Sequence, residues 1–134
     1  IRDYKVTGVQ TCALPICLNE VTRLGIARGA QPLTFVGLAG VGDLLATCGS
    51  PLSRNRSFGE ALGRSGSMES ARAQVQSTVE GVATASAVVD LAHLVGIEAP
   101  IMEAVQEVVS NTITPQQAIV NLMKVHTGAE IDYI

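Results

Sequence analysis

The sequence predicts an all-α protein, a compact bundle of about seven short helices. From residue 17 onward, apolar residues recur at intervals of three and four positions, which is the period of an α-helix. Glycine and proline divide these periodic stretches into short segments. The chain contains no convincing pair of alternating stretches that would predict β-strands, and no internal repeat or low-complexity tract.

The composition is compatible with one domain and a packed core. The chain has 134 residues, of which 47% are hydrophobic and 16% are charged. Those proportions exclude an intrinsically disordered chain and leave little room for a second domain. Aromatic residues make up only 3%, so the core is expected to consist mainly of Ala, Val, Leu and Ile.

Charge and hydropathy exclude two classes of partner. The net charge of −3 argues against a protein that binds the nucleic-acid backbone, since such a protein needs a basic face. A membrane span needs about 20 nearly continuous apolar residues, and the best stretch, 82–102, is interrupted by Asp90, His93 and Glu98. The three cysteines lack metal-ligand spacing, so we expect a reduced, cytoplasmic protein without a metal site.

Residues 1–16 differ from the rest of the chain because they show no helical period. Residues 6–16 read like the in-frame translation of a common sequencing-library adapter, whereas the alternative is an ordinary N-terminal strand and turn. Sequence of that origin does not belong to a fold. We therefore expect residues 1–16 to lie outside the fold and residues 17–134 to form the helical domain.

Two helices are predicted before the glycine-rich part of the chain. The first occupies 17–29, where Leu18, Val21 and Leu24 share one face and a glycine follows. Proline at the first helical position favours a second, shorter helix over 32–38.

The middle of the chain is predicted to hold a turn and two further helices. The glycine-rich run 37–42 predicts a tight connection rather than a helix. Asp43 then begins an apolar helix that ends at Gly49, and the next helix runs from Ser53 to about Gly63.

Caps and breakers mark the last four helices. Ser67 is expected to cap a short helix, and the clearest helix of the chain, 79–95, ends at Gly96. Pro100 begins another helix. Thr114 precedes a proline and two glutamines, which is the sequence of a capping box at the start of the last helix.

The first stretch that could carry chemistry is the glycine-rich run that ends in Asp43. A carboxylate at a helix start is most often an N-cap. The functional interpretation is that Gly40 and Gly42 let the backbone approach a ligand while Asp43 binds its hydroxyl group. The run is not the dinucleotide fingerprint G-x-G-x-x-G, and no parallel strand precedes it.

The second stretch is the helix start formed by Ser53, Arg54, Asn55 and Arg56. A hydroxyl, a guanidinium and an amide beside helix N–H groups suit the oxygens of a phosphate. A capped helix start with solvated arginines is about as well supported by these residues alone. Two arginines in a chain of net negative charge favour the anion site.

Glu80, like Asp43, can be interpreted as a structural residue or as a ligand contact. Ser77 and Glu80 have the spacing of a capping box, so the residues by themselves indicate a structural role.

Taken together, these stretches resemble the C-terminal domain of bacterial NAD(P)-dependent glycerol-3-phosphate dehydrogenase. The resemblance extends from near Leu18 to about the last helix. It implies a fold similar to the C-terminal domain of 6-phosphogluconate dehydrogenase. It is carried by the order and spacing of five stretches: 20–25, 34–48, 53–59 with Leu62-Gly63, 79–81 and Pro100-Ile101.

The resemblance implies an oxidoreductase that interconverts dihydroxyacetone phosphate and sn-glycerol 3-phosphate with NADH or NADPH for glycerophospholipid synthesis. The full-length enzyme is expected to be a homodimer. The positions that match the family's substrate contacts are Asp43, Ser53, Arg54 and Asn55, and those that match its cofactor contacts are Arg54, Thr78 and Glu80.

The sequence also departs from the family pattern. The Rossmann domain and the catalytic lysine expected upstream of Leu18 are absent, and Lys5 lies in the adapter-like segment. We therefore expect half a site that is inactive by itself. The alternatives are a non-catalytic helical interaction module and the helical domain of another hydroxyacid-type dehydrogenase. The combination of the Asp43 and Ser53 stretches argues against both.

Overall fold

A computed structural model of the protein describes the backbone of residues 4–126 and, within that range, the side chains of residues 13–124. This part of the chain contains eight α-helices, one π-helical turn and no strand, which confirms the all-α prediction. None of these helices combines the length with the apolar composition that a membrane crossing requires. The helices are α1 (Tyr4–Ala27), α2 (Pro32–Val36), α3 (Asp43–Gly49), α4 (Arg54–Ser65), α5 (Met68–Gln74), α6 (Glu80–Leu94), α7 (Pro100–Val109) and α8 (Pro115–His126).

Helix α1 begins earlier than expected. It starts at Tyr4 rather than at residue 17 and continues through Pro15. A proline inside a helix removes one hydrogen bond, and the residues before it have no apolar period, so the pattern did not predict a helix there. The side chains of residues 1–12 lie outside the described residues, and the separate origin of residues 1–16 stays a prediction.

Glycines with positive φ follow the ends of three helices. Gly29 (φ +90°) follows α1, Gly66 (φ +66°) follows α4 and Gly96 (φ +70°) follows α6. The glycine stops predicted for α1 and α6 are therefore confirmed, because glycine adopts the left-handed conformation without strain. Helix α4 continues past the expected end at Gly63 to Ser65.

Side-chain caps begin two helices as the sequence predicted. The Ser67 hydroxyl accepts the Ser70 N–H at 3.3 Å at the start of α5. At the start of α8, the Thr114 hydroxyl accepts the Gln117 N–H at 3.2 Å, and the Gln117 side chain accepts the Thr114 N–H at 2.8 Å. The second pair is the reciprocal arrangement of a capping box.

The glycine-rich run forms a π-helical turn over Leu38–Gly42, so the expected non-helical connection is wrong. The backbone of Gly40 lies against that of Phe35, and a Cβ on Gly40 would come within 2.1 Å of the Phe35 carbonyl oxygen. Glycine therefore allows a tight helical turn where a larger residue would clash. The turn leads directly into α3 at Asp43.

Small aliphatic side chains dominate the core, as the composition predicted. Of the eleven buried hydrophobic residues in the described part of the chain, seven are alanine and one is aromatic. Valines from α6, α7 and the segment before α6 pack around the largest cluster, which α4 and α5 form. The buried hydrophobic residues are Phe58, Ala61, Leu62, Met68, Ala71, Ala85, Val89, Ala92, Ala99, Ala104 and Ala118.

The packing of α4 determines where its first turn lies. Phe58, Ala61 and Leu62 lie on one side of the helix and are buried against α5 and α6. Arg54 and Asn55 precede this buried face and are exposed. The start of α4 is therefore presented at the surface by a helix whose later turns are anchored in the core.

A buried carboxylate joins α1 to α7. Glu20 is only 3% exposed, and its two carboxylate oxygens accept the N–H groups of Ile101 at 2.7 Å and Met102 at 3.0 Å. These amides belong to the first turn of α7, whose own N-cap residue, Ala99, has no side chain that could accept them. Burial raises the pKa of Glu20, and the two backbone hydrogen bonds oppose that shift.

Candidate functional site

Ser53 is the N-cap of α4. Its backbone is extended, and its hydroxyl oxygen accepts the Arg56 N–H at 3.3 Å. The first helical amides, those of Arg54 and Asn55, have no carbonyl partner within the helix. The helix start predicted at Ser53 is therefore confirmed, and Arg54 and Asn55 occupy the first two positions of the helix.

The two arginines of this helix start differ in their contacts. Arg54 is exposed, and its guanidinium makes no hydrogen bond or ion pair to another described residue. Arg56 donates from Nε to the Glu60 carboxylate at 2.9 Å and from Nη1 to the carbonyl oxygen of Gly49. All donors of Arg54 are therefore available to bind an anion, whereas two of the five N–H donors of Arg56 are already engaged within the protein.

Asn55 connects this helix start to the next candidate stretch. Its amide oxygen accepts the backbone N–H of Gly81 at 3.2 Å. A Cβ on Gly81 would lie 2.9 Å from that oxygen, so glycine allows the close approach. The contact places Asn55, with Ser53 and Arg54 beside it, next to the start of α6, where Thr78 and Glu80 lie.

The predicted capping box at Ser77 and Glu80 is wrong. The N-cap of α6 is Val79, which makes no side-chain cap, and the chain stays extended there (φ −100°, ψ 99°). Ser77 therefore lies two residues before the N-cap, too early to accept the amides of the first turn. The Asn55 side chain instead accepts a hydrogen bond from one of those N–H groups, that of Gly81. The Glu80 carboxylate is exposed and has no hydrogen-bond partner in the described part of the chain.

Thr78 lines a groove of about 670 Å³ next to the start of α6. This volume falls within the range of small-molecule sites, about 300–1,000 Å³. Its lining includes the apolar side chains of Phe58 and Val82 and the positively charged side chain of Arg72. The full lining is Phe58, Arg72, Val75, Gln76, Ser77, Thr78, Val79, Val82 and Ala83.

Asp43 does not use its side chain as a cap. The N-cap of α3 is Gly42, and Asp43 has helical backbone angles (φ −65°, ψ −43°) because the π-helical turn continues into α3. Its carboxylate is exposed and makes no hydrogen bond or ion pair to any described residue. The structural alternative raised by the sequence, a capping aspartate, is therefore wrong.

The structure joins the two candidate stretches through the far end of α3. Arg56 contacts Gly49, the last residue of α3, whereas Asp43 is the first. At about 1.5 Å per residue, the helix separates Asp43 from that contact by roughly 9 Å. Asn55 thus contacts Gly81, beside Glu80, and no hydrogen bond links Asp43 to Ser53, Arg54 or Asn55 within the described range.

Sequence reasoning missed three features of this region. The spacing of Arg56 and Glu60 is that of an i,i+4 helical ion pair and could have indicated that this arginine is engaged. The contact between Asn55 and Gly81, and the position of Arg72 in the groove, join residues that are distant in sequence, so no local pattern could have indicated them.

The cysteines do not form a reactive or metal-binding site in the described part of the chain. Burial raises the pKa of the Cys48 thiol, and the neighbouring Arg56 only opposes that shift. Burial, followed by the charges of Glu20 and Cys48, raises the pKa of Cys17. Both thiols are therefore poor nucleophiles at neutral pH, and no group of three metal-ligating side chains occurs among the described residues.

Comparison with protein families gives one match that covers most of the chain. The model described as "NAD-dependent glycerol-3-phosphate dehydrogenase C-terminus" matches residues 6–120. The match includes part of the segment 1–16, and the boundary at residue 17 stays a prediction. No solved structure matches the chain.

Curated relatives of this chain are named after the same dehydrogenase as the matching family. Proteins named glycerol-3-phosphate dehydrogenase (NAD(P)+) are similar to this chain in Streptomyces coelicolor, with 50% identity over 79% of this chain and 32% of the relative. In Frankia casuarinae the identity is 46% over 84% of this chain and 34% of the relative. In Corynebacterium kroppenstedtii the identity is 48% over 92% of this chain and 38% of the relative. The chain thus spans about a third of the length of these relatives.

Proposed function

The chain belongs to the family of C-terminal domains of NAD-dependent glycerol-3-phosphate dehydrogenase, and we propose that it forms the substrate-binding part of such an enzyme. The resemblance drawn from the sequence is confirmed. The proposed reaction is the interconversion of dihydroxyacetone phosphate and sn-glycerol 3-phosphate with NADH or NADPH. Because the chain spans about a third of its relatives, this activity is proposed for a longer protein that also carries a nucleotide-binding Rossmann domain.

The observation that supports this proposal best is the hydrogen bond between Asn55 and Gly81. It holds the start of α4, with its available anion donors, against the start of α6, with Thr78 and Glu80. Substrate and cofactor must be held side by side for hydride transfer. Two stretches that resemble the family's substrate and cofactor contacts are therefore adjacent in space, although 22 positions separate the end of one from the start of the next (from 55 to 78).

The substrate phosphate is proposed to bind at the start of α4. The guanidinium of Arg54, the hydroxyl of Ser53 and the first amides of the helix are donors, and the helix dipole favours an anion there. The Nδ2 group of Asn55 can donate as well, because only its oxygen is used by Gly81. These donors lie within one helix turn, so we expect the chain by itself to bind phosphate weakly.

The substrate hydroxyl groups are proposed to bind Asp43. Its carboxylate is exposed and unpaired in the described structure, so it can accept hydrogen bonds from a ligand. Asp43 and the start of α4 lie toward opposite ends of α3. This separation suits a substrate that carries its phosphate at one end and its hydroxyl groups at the other.

The cofactor is proposed to contact Arg54, Thr78 and Glu80. Their side chains offer a cation, a hydroxyl and a carboxylate without partners in the described range, and Thr78 opens onto a groove large enough for part of a dinucleotide. This donor set fits the charged and amide groups of a nicotinamide cofactor. When bound, NAD(P)H supplies the hydride, and the chain's own residues hold it beside the substrate.

A hybrid enzyme tests the proposed function. The part of one of these relatives that ends at the residue aligned with residue 16 would be joined to this chain at residue 17, and NADH oxidation would be followed with dihydroxyacetone phosphate. We expect the hybrid to reduce the substrate and the chain alone to show no turnover, since the domain that holds NADH and the proton donor are proposed to belong to the rest of the enzyme. A correctly folded but inactive hybrid would contradict the proposal.

The biological setting is proposed by family membership alone. A cytoplasmic homodimer that feeds glycerophospholipid synthesis is the expectation for the whole enzyme. Sedimentation of the active hybrid would test the dimer, and a monomeric active species would contradict it.

A further inference from the structure

We infer that Arg56 is a positioning residue, which fixes the proposed phosphate-binding turn relative to α3 and does not itself bind the substrate. The inference rests on the proposed function of Ser53, Arg54 and Asn55. It assigns different roles to two arginines that are two positions apart on the same helix.

Arg56 connects two neighbouring helices, α4 and α3, with one side chain. Its Nε donates to the Glu60 carboxylate at 2.9 Å, one turn later on α4. Its Nη1 donates to the carbonyl oxygen of Gly49 at the end of α3. Carbonyl groups at the end of a helix lack intrahelical partners, so the guanidinium satisfies an acceptor that would otherwise need water.

The segment that Arg56 spans is itself ordered by local hydrogen bonds. The Ser53 N–H donates to the Ser50 carbonyl at 3.1 Å, and the Ser57 hydroxyl donates to the Pro51 carbonyl at 3.3 Å. The Leu52 N–H also donates to the Ser50 hydroxyl at 3.2 Å. The turn between α3 and α4 is thus a short structured link, and the hydrogen bond from Arg56 to Gly49 joins its two ends.

Arg56 is poorly suited to bind an anion directly. Its side chain is 32% exposed, compared with 80% for Arg64, and the nearby Glu60 carboxylate offsets its charge. Two of its five N–H donors are already engaged, and the Glu60 carboxylate beside it repels an incoming phosphate. The planar guanidinium can serve two acceptors at once in a fixed geometry, which the single ammonium group of a lysine does less well.

The consequence concerns the two halves of the proposed site. Asp43 is carried by α3, whereas Ser53 and Arg54 are carried by α4. The contact between Arg56 and Gly49 is a side-chain hydrogen bond from α4 to the end of α3. Without it, the donors at the start of α4 would be held less firmly, and small displacements of binding groups weaken binding strongly.

The test measures inorganic phosphate binding to the chain by amide chemical shifts in Arg56→Ala, Arg56→Lys, Glu60→Gln and, as control, Arg64→Ala. We expect Arg56→Ala to weaken phosphate binding about tenfold, Arg56→Lys to recover part of the loss, and Arg64→Ala to bind like the wild type. Glu60→Gln is decisive because it removes a negative charge near the site and replaces the charged acceptor of Arg56 by a neutral one. A positioning role predicts weaker phosphate binding in this variant, whereas a direct electrostatic role predicts tighter binding.

The outcomes separate this inference from the proposed function. If Arg56→Ala does not fold, as judged by circular dichroism, Arg56→Lys and Glu60→Gln decide the question. Wild-type affinity in the Arg56 variants, or tighter binding in Glu60→Gln, would overturn the inference alone. No shift of any amide in the wild-type chain at high phosphate would overturn the proposed anion site and the inference with it.

Discussion

The side-chain oxygen of Asn55 accepts the backbone N–H of Gly81 at 3.2 Å and so joins the start of α4 to the start of α6. The bond gives Asn55 a structural role in addition to the proposed contact with substrate. It caps an amide of α6 that no local side chain satisfies. Its Nδ2 group remains available, so one side chain can serve both the fold and the ligand.

Substitution of Gly81 by alanine is expected to destabilise the protein by about 1 kcal/mol, because the new Cβ displaces the Asn55 oxygen and breaks the hydrogen bond. Urea unfolding measures the change. Gly63→Ala is the matched control, since Gly63 lies within α4 with nothing near its Cβ position. That substitution should stabilise the protein by about 0.5–1 kcal/mol. Two changes of the same sign would contradict the assigned contact.

In the active hybrid, Arg54→Ala is expected to lower kcat/KM by about 10- to 150-fold. This corresponds to the loss of a charge-assisted hydrogen bond of about 1.5–3 kcal/mol. The folded stability should change little, because the Arg54 side chain has no partner in the described structure. Steady-state assays with varied dihydroxyacetone phosphate give the kinetic values.

Arg64→Ala serves as the control for Arg54→Ala, because it removes an equal charge from the same helix at an exposed position. Equal kinetics in the two variants would show that Arg54 is only a solvated surface residue.

Asp43→Asn is expected to lower kcat in the hybrid by about 10- to 100-fold, since it removes the charge of the proposed acceptor of substrate hydroxyl groups and keeps the shape of the side chain. Unfolding stability should stay within about 0.5 kcal/mol of the wild type, because the carboxylate makes no hydrogen bond in the described range. A large loss of stability with unchanged kcat would assign Asp43 a structural role instead.

The stability of the chain is expected to depend on the protonation of Glu20. Burial raises the pKa of this carboxyl in the folded state above its value in the unfolded chain. The folded state therefore binds the proton more tightly, and the resulting stability is present below the unfolded pKa and lost as pH rises through the folded pKa. Urea unfolding at pH values from below the unfolded pKa to above the folded pKa of Glu20 should show the free energy of unfolding decrease.

Glu20→Gln tests that assignment because it removes the titration and keeps one acceptor for the α7 amides. The variant should be less stable by about 1 kcal/mol for the lost second acceptor and should not show the decrease with pH. Glu69→Gln, at an exposed position of α5, is the control and should keep the wild-type profile. If the stability of Glu20→Gln fell with pH in parallel with that of the wild type, the pH dependence would not be caused by Glu20.

Local signals in the sequence were sufficient for most helix boundaries. The capping box at Thr114, the cap at Ser67 and the glycine stops at Gly29 and Gly96 depend on residues within a few positions of each other, and all of them are found. They fail where the chain makes use of distant partners. The apparent capping box at Ser77 does not form, and Asn55, which is far from it in sequence, caps α6 instead.

The sequence by itself determined the helical class, the small-residue core, the family and the identity of the candidate residues, because period, composition and motif order are properties of the chain. Only the tertiary structure decided which of those residues are available. It engages Arg56 with Gly49 and Glu60 and leaves Arg54 exposed, although both are arginines on the same helix turn. The physical reason is that a hydrogen bond requires a partner in space, and the partner of a side chain is determined by helix packing.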